Sequence, residues 1–63
     1  MRDYIVRIFE SVDEENKPYM VAEMQFDKPV LRNGAKHCRH FNIAYHTEEE
    51  LNGILKEFSF EGE

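Results

Sequence analysis

Hydrophobic and polar residues alternate in three stretches of this 63-residue chain, and alternation with a period of two is typical of half-buried β-strands. The stretches cover residues 2–10, 19–27 and 41–46. In the second and third, the apolar positions define one core face: Met20, Ala22, Met24, Phe26, Phe41, Ile43 and Tyr45. The pattern therefore predicts three main strands, which the loop signals between them join as an antiparallel sheet.

The first stretch has apolar residues on both of its faces. Ile5, Arg7 and Phe9 share one face if the segment is a regular strand, and Arg7 marks that face as the wetter one. Ile5 and Phe9 would then remain partly exposed once the core is assigned. Either a partner covers them, including a second copy in a homodimer through the first strand, or the chain's own termini do.

A helix is predicted after the third strand. Thr47 followed by Glu50 has the spacing of a capping box, in which each residue's side chain accepts from the other's backbone amide. Apolar residues then recur at helical spacing: Leu51, Ile54, Leu55 and Phe58. We expect an α+β fold for residues 1–63, a single small domain. A small antiparallel sheet of three main strands, with an extra short hairpin, would carry one C-terminal helix packed on one face.

The extra hairpin coincides with the one basic segment of an acidic chain. Residues 28–40 contain four of the eight Lys and Arg, two of the three His and the single Cys, but no acid, whereas the whole chain has a net charge of −5. Asn33 and Gly34 form a strong two-residue hairpin signal because both tolerate positive φ. Residues 28–40 are therefore predicted to be a projecting basic hairpin or loop.

Charge segregation of this kind indicates a binding partner and says little about the fold. The residues predicted to bind a partner are Lys28, Arg32, Lys36, His37, Arg39, Ile5 and Phe9. The alternative without a binding function is a solvated loop that keeps the edge of the sheet from pairing with other chains.

The sequence offers little chemistry for catalysis or for metal binding. His37, Cys38 and His40 are ligand types that Zn²⁺ favours, but adjacent residues of an extended segment point to opposite faces. No metal and no other cofactor is predicted. A metal ion held by His37, Cys38 and His40 is the alternative to this prediction. Cys38 with a neighbouring His could form a nucleophile and base, but nothing supplies the rest of a site. We therefore predict that the protein is not an enzyme.

Length and hydropathy limit the remaining classes. A chain of 63 residues buries only about 60% of the surface that its unfolded form exposes, and a single Cys cannot form an internal disulfide. Self-association is one way in which small domains gain stability. No apolar run approaches the roughly 20 residues needed to cross a bilayer. The expected location is the cytoplasm, with no membrane contact.

Two resemblances to known families can be stated. The segment from Phe41 to Phe58, a strand that runs into Tyr-His-Thr-Glu-Glu-Glu-Leu-Asn-Gly-Ile-Leu, resembles the closing strand and helix of class V pyridoxal-phosphate enzymes such as cysteine desulfurases. The Schiff-base lysine context of those enzymes is missing. The order of strands before one helix resembles small antitoxins of the HicB type, although the Gly-rich turn of that family is also missing.

The function predicted from the sequence is a small non-catalytic protein-binding module. It would be a regulator or inhibitor of the kind encoded by a phage or mobile element, docking on a larger protein. One alternative is a nucleic-acid-binding protein that uses residues 28–40 against phosphates. Another is an antitoxin-like protein, or an acidic protein that mimics nucleic acid.

Overall fold

Two small antiparallel sheets and one helix make up the computed structural model, which describes residues 2–62. A 3₁₀ turn at Arg2–Tyr4 precedes the main elements. In chain order these are β1 (Ile5–Val12), β2 (Pro18–Gln25), β3 (Val30–Arg32), β4 (Ala35–His37), β5 (His40–Tyr45), α1 (Glu48–Leu55) and β6 (Phe58–Phe60). The predicted α+β class, with one helix near the C-terminus, is confirmed.

The first sheet has the strand order β1-β2-β5. Ala22 of β2 lies opposite Ile8 of β1 and Ile43 of β5, so these three residues share the face that α1 covers along β5. The core positions predicted for β2 and β5 are confirmed, because Ala22 and Met24 are fully buried and Ile43 is buried as well.

A β-bulge in β1 changes the faces predicted for the first stretch. The register places Ile5 opposite Met24 but Arg7 opposite Glu23, so two steps along β1 match one step along β2. An extra residue in one strand disrupts the alternation of side chains locally. Ile5 therefore packs against the core, and it does not share a face with Arg7 as a regular strand would require.

The second sheet has the order β4-β3-β6 and contains the predicted hairpin. Asn33 and Gly34 form its turn with φ values of 52° and 85°, the positive values that a type I′ turn needs. Because β3 also pairs with β6, the hairpin is held along one side by the C-terminal part of the chain.

The helix is shorter than its apolar stripe suggested. Thr47 Oγ1 accepts a hydrogen bond from the amide of Glu50 at 3.2 Å, as predicted, whereas Glu50 Oε2 accepts from the amide of His46 at 2.8 Å instead of from Thr47. The helix ends at Leu55. Phe58, the expected fourth residue of the stripe, lies in β6 and is buried there.

One apolar core joins the two sheets and the helix. Its buried members are Ala22, Met24, Phe26, Val30, Ile43, Tyr45, Leu51, Leu55 and Phe58. No polar or charged residue within residues 2–62 is buried, so the charged residues act at the surface. The helix described here is too short and too polar to cross a membrane.

Candidate functional site

Two of the four cations in the basic segment hold the hairpin against the rest of the chain. Arg32 Nη2 lies 2.7 Å from Glu57 Oε2, and its guanidinium carbon is 5.4 Å from the centre of the Phe58 ring. Lys28 Nζ lies 5.7 Å from the centre of the Phe60 ring. Their charges are therefore partly engaged by residues in and next to β6.

The other two cations converge on one cleft, which we call the basic cleft. It has a volume of about 230 Å³ and is lined by Pro29, Val30, Leu31, Lys36, His37, Arg39 and Glu61. Among residues 2–62, neither Lys36 nor Arg39 has a carboxylate within ion-pair distance. The basic cleft thus combines two cations with an apolar wall, and one acidic residue, Glu61, lines it as well.

His37 forms part of the wall of the basic cleft. Its ring meets Phe41 edge-on at a centroid distance of 4.5 Å and Phe58 at 5.2 Å. Its Nδ1 lies 3.2 Å from the carbonyl oxygen of Cys38, which can only accept a hydrogen bond, so Nδ1 is the donor. The imidazole is therefore fixed by packing and by one local hydrogen bond.

The arrangement of His37, Cys38 and His40 bears on the metal alternative. His37 contacts the carbonyl oxygen of Cys38 rather than its thiol, and Cys38 is exposed. His40 Nε2 lies 2.7 Å from Glu23 Oε2 on β2. Within the part of the chain that the structure describes, no three His, Cys, Asp or Glu residues are grouped so that they could hold a metal ion.

Glu23 hydrogen-bonds to Arg7 and His40 on the face of the first sheet that lies away from the core. Its Oε1 lies 2.6 Å from Arg7 Nε and its Oε2 lies 2.7 Å from His40 Nε2. These hydrogen bonds, His40 first and then Arg7, lower the pKa of Glu23 from its usual value of 4.5. The trio links all three strands of the first sheet from its outer face.

The exposed apolar surface lies on β1. Val6, Ile8 and Val12 are 53%, 45% and 54% exposed, and they are the exposed large hydrophobic residues among those described. Phe9, which the sequence placed on an exposed face, is half-buried, with the Arg7 guanidinium carbon 4.6 Å from its ring centre.

Sequence reasoning missed these three residues for two reasons. Arg7 marks its own face of the first stretch as the wetter one, which leaves Val6 and Ile8 on the opposite, inward face, and Val12 lies beyond residues 2–10. Ile8 does lie opposite the buried Ala22, but α1 packs along β5 at the other side of the sheet. A single predicted helix for three predicted strands was the available signal that one side of the sheet would stay uncovered.

Comparison of this chain with protein-family models, with curated proteins and with solved structures gave no match in any of the three. The candidate sites therefore depend on their own geometry.

Proposed function

We propose that this chain is a small, non-catalytic protein-binding module that docks on a larger protein through the basic cleft. The observation that carries the proposal is the convergence of Lys36 and Arg39 on one cleft, without a carboxylate partner among the described residues. In a chain of net charge −5, two such cations favour an acidic partner. The proposed class is a cytoplasmic regulator or inhibitor, of the type encoded by phages or mobile elements.

The chemistry of the cleft favours a carboxylate on an extended acidic segment of the partner. A guanidinium can bind a carboxylate through two parallel hydrogen bonds, and an ammonium adds a compact point charge. Pro29 and Leu31 also line the cleft and can take the aliphatic part of a Glu side chain. Glu61, on the same lining, would repel its carboxylate, so the two cations must supply the attraction. A volume of about 230 Å³ suits one or two side chains rather than a folded surface.

Nucleic acid is the second candidate, because the same two cations could contact phosphates. Single-stranded nucleic acid also needs aromatic faces on which bases can stack. Tyr45 is buried in the core, and Phe41 is stacked on Phe26 and Phe58 at 5.8 and 5.1 Å. Tyr19 is half-buried, with its ring centre 6.4 Å from that of His46. The net charge of the chain opposes phosphates and carboxylates alike, so it is the packing of these three rings that makes an acidic protein segment the better supported ligand.

Binding of a fluorescein-labelled oligoglutamate peptide, measured by fluorescence anisotropy at low salt, tests the proposal. The double variant Lys36→Glu/Arg39→Glu should bind at least about tenfold more weakly, because each charge-assisted hydrogen bond is worth roughly 1.5–3 kcal/mol. Lys17→Glu/Lys56→Glu changes the net charge by the same amount at exposed positions outside the cleft. This control variant should keep most of the affinity.

Three results would contradict acidic-peptide docking. Equal losses in the two double variants would mean that only the overall charge matters. Absence of peptide binding by the unmodified chain would remove the proposed ligand. A labelled single-stranded oligonucleotide that binds more tightly than the peptide, with a steep salt dependence and the same sensitivity to Lys36 and Arg39, would support nucleic acid instead.

Self-association through β1 is the second part of the proposal. The exposed apolar residues Val6, Ile8 and Val12 lie on a strand at the edge of the sheet, away from the basic cleft residues. Sedimentation velocity over a concentration series tests it, and a species that remains monomeric into the high micromolar range would contradict it.

A further inference from the structure

We infer that β1 pairs antiparallel with β1 of a second copy, with Phe9 on the two-fold axis, so that two three-stranded sheets become one sheet of six strands. This inference builds on the proposed self-association and specifies its geometry. It is independent of what the basic cleft binds.

The first support is the position of β1 in the sheet. β1 is eight residues long and pairs with β2 on one side, at the end of the order β1-β2-β5. An edge strand presents unpaired N–H and C=O groups, which natural proteins often protect with charged residues, Pro or a β-bulge. β1 contains Arg7 and Glu10 but no Lys or Pro. Its bulge lies near one end, between Ile5 and Arg7, which leaves residues 7–12 regular.

The second support is where the exposed apolar surface lies. Val6, Ile8 and Val12 are about half exposed, and the other large hydrophobic residues of the described chain are more buried. Burial of apolar side chains is the main favourable term in protein association. The concentration of this surface on one edge strand favours an occupant that runs along the strand.

The third support is the self-complementary spacing of these residues. In an antiparallel pair of identical strands, side chains on one face meet when the two-fold axis passes through a residue position. An axis at Phe9 sets Ile8 opposite Glu10 of the copy, with the two Ile8 side chains and the two Glu10 side chains as diagonal neighbours, and it brings Val6, at the bulge, level with Val12. It also sets Arg7 opposite Ser11, so no like charges lie directly opposite each other.

Other registers are less favourable. An axis at Arg7 or at Glu10 would place two like charges directly opposite each other, which is destabilising. An axis at Ile8 would place the two Ile8 side chains opposite each other, but it would set Val6 opposite Glu10, and Val12 opposite Tyr4, which lies in the 3₁₀ turn outside the strand. Phe9 is therefore the position that pairs the exposed valines with each other.

The size of the contact sets the expected strength. A stable interface usually buries about 800 Å² on each partner, and the exposed surface of this monomer is 4636 Å² in total. One strand edge supplies only part of such an area. We therefore expect a weak dimer that dissociates on dilution through the micromolar range.

Cysteine crosslinking tests the register. The exposed Cys38 is first replaced in a Cys38→Ser background, and Phe9→Cys is added. Directly opposed residues have β-carbons about 4.5–5.5 Å apart, whereas diagonal neighbours are about 7–8 Å apart. Phe9→Cys should therefore form a disulfide-linked dimer on mild oxidation, while Ile8→Cys alone and Glu10→Cys alone should crosslink poorly.

A mixture of the Ile8→Cys and Glu10→Cys proteins supplies a second readout that keeps Phe9 intact. The mixture should crosslink efficiently, because Ile8 and Glu10 lie opposite each other in the proposed register. A dimer by sedimentation whose crosslinks follow another pairing would overturn the register but leave self-association standing. A monomer at all concentrations would overturn both the register and self-association. Peptide binding at the basic cleft is tested independently of this result.

Discussion

Glu23 is the residue whose ionisation affects the first sheet most directly. Its carboxylate accepts hydrogen bonds from His40 and from Arg7, and these partners lower its pKa below 4.5. A group with a lowered pKa in the folded state stabilises the fold above its unfolded pKa. That contribution is lost as the pH falls through the folded value.

The predicted effect of Glu23→Gln therefore depends on pH. Above about pH 5 the variant should have a lower free energy of unfolding than the unmodified protein, because the charged partner of Arg7 and His40 is gone. As the pH falls below 4.5 the difference should shrink, because the carboxyl group of the unmodified protein takes up a proton as the pH passes through its lowered pKa. Urea denaturation at a series of pH values measures both.

Glu14→Gln is the matched control for this prediction. It makes the same chemical change in the exposed loop between β1 and β2, and it should show little dependence on pH over the same range. A constant difference between the unmodified protein and Glu23→Gln from neutral to acid pH would mean that the loss arises from packing rather than from ionisation.

At the scale of elements, the hairpin turn and the helix each contain a glycine with a different role. A β-carbon at Gly34 or at Gly53 would meet no heavy atom within 4 Å, so neither position is crowded. Gly34 has a φ of +85°, which disfavours any residue with a β-carbon. Gly53 lies inside α1 with no such φ, where alanine is the better residue.

The substitution to alanine should therefore have opposite signs at the two positions. Gly34→Ala should lower the free energy of unfolding by about 1 kcal/mol through strain in the turn. Gly53→Ala should raise it by about 1 kcal/mol, the difference in helix propensity between the two residues. Chemical denaturation under one condition measures the free energy of unfolding of both variants, and each variant is the control for the other. Changes of the same sign would contradict the roles assigned to the two glycines.

The strands differ in how far their sequence predicted them. β2 and β5 were predicted with the correct core faces because they are regular and their alternation is uninterrupted. β1 carries a bulge between Ile5 and Arg7, and a bulge depends on how the neighbouring strand pairs. β6 was missed because Phe58 fits the helical spacing of α1, and only the pairing with β3 distinguishes the two.

The candidate site was predicted to a similar extent. Charge located residues 28–40, and the Asn33-Gly34 dipeptide located the turn within them. It could not separate Arg32, which pairs with Glu57, from Lys36 and Arg39, because that pairing requires β6 to lie beside β3. The basic cleft depends on tertiary pairing between residues about 30 positions apart. Local sequence patterns contain no information about such pairing.

At the scale of the whole molecule, the chain is elongated. It measures 41 × 19 × 18 Å and has a radius of gyration of 12.5 Å, whereas a compact domain of this length has about 10.6 Å. An elongated monomer covers less of its own apolar surface, which agrees with the exposure of Val6, Ile8 and Val12.

Ile8→Glu should separate self-association from folding. Ile8 is 45% exposed in the monomer, so a glutamate there should lower the free energy of unfolding of the dilute monomer by only about 1 kcal/mol. In the proposed register this glutamate would lie opposite Glu10 of the copy, and like charges directly opposite each other are destabilising. Sedimentation velocity should therefore show a monomer at concentrations where the unmodified protein dimerises. Ala44→Glu, at an exposed position on the other edge strand, should dimerise normally, and equal behaviour of the two variants would argue against β1.

The pairing of β3 with β6 also affects the order in which the protein can fold during synthesis. β1 and β2 are joined by the short loop 13–17 and can pair as soon as both have been made. The hairpin of β3 and β4 can pair locally, but its second neighbour, β6, is made last, since Val30 pairs with Phe60. On the ribosome, Val30 and Leu31 therefore stay without their final strand partner until Phe60 has emerged.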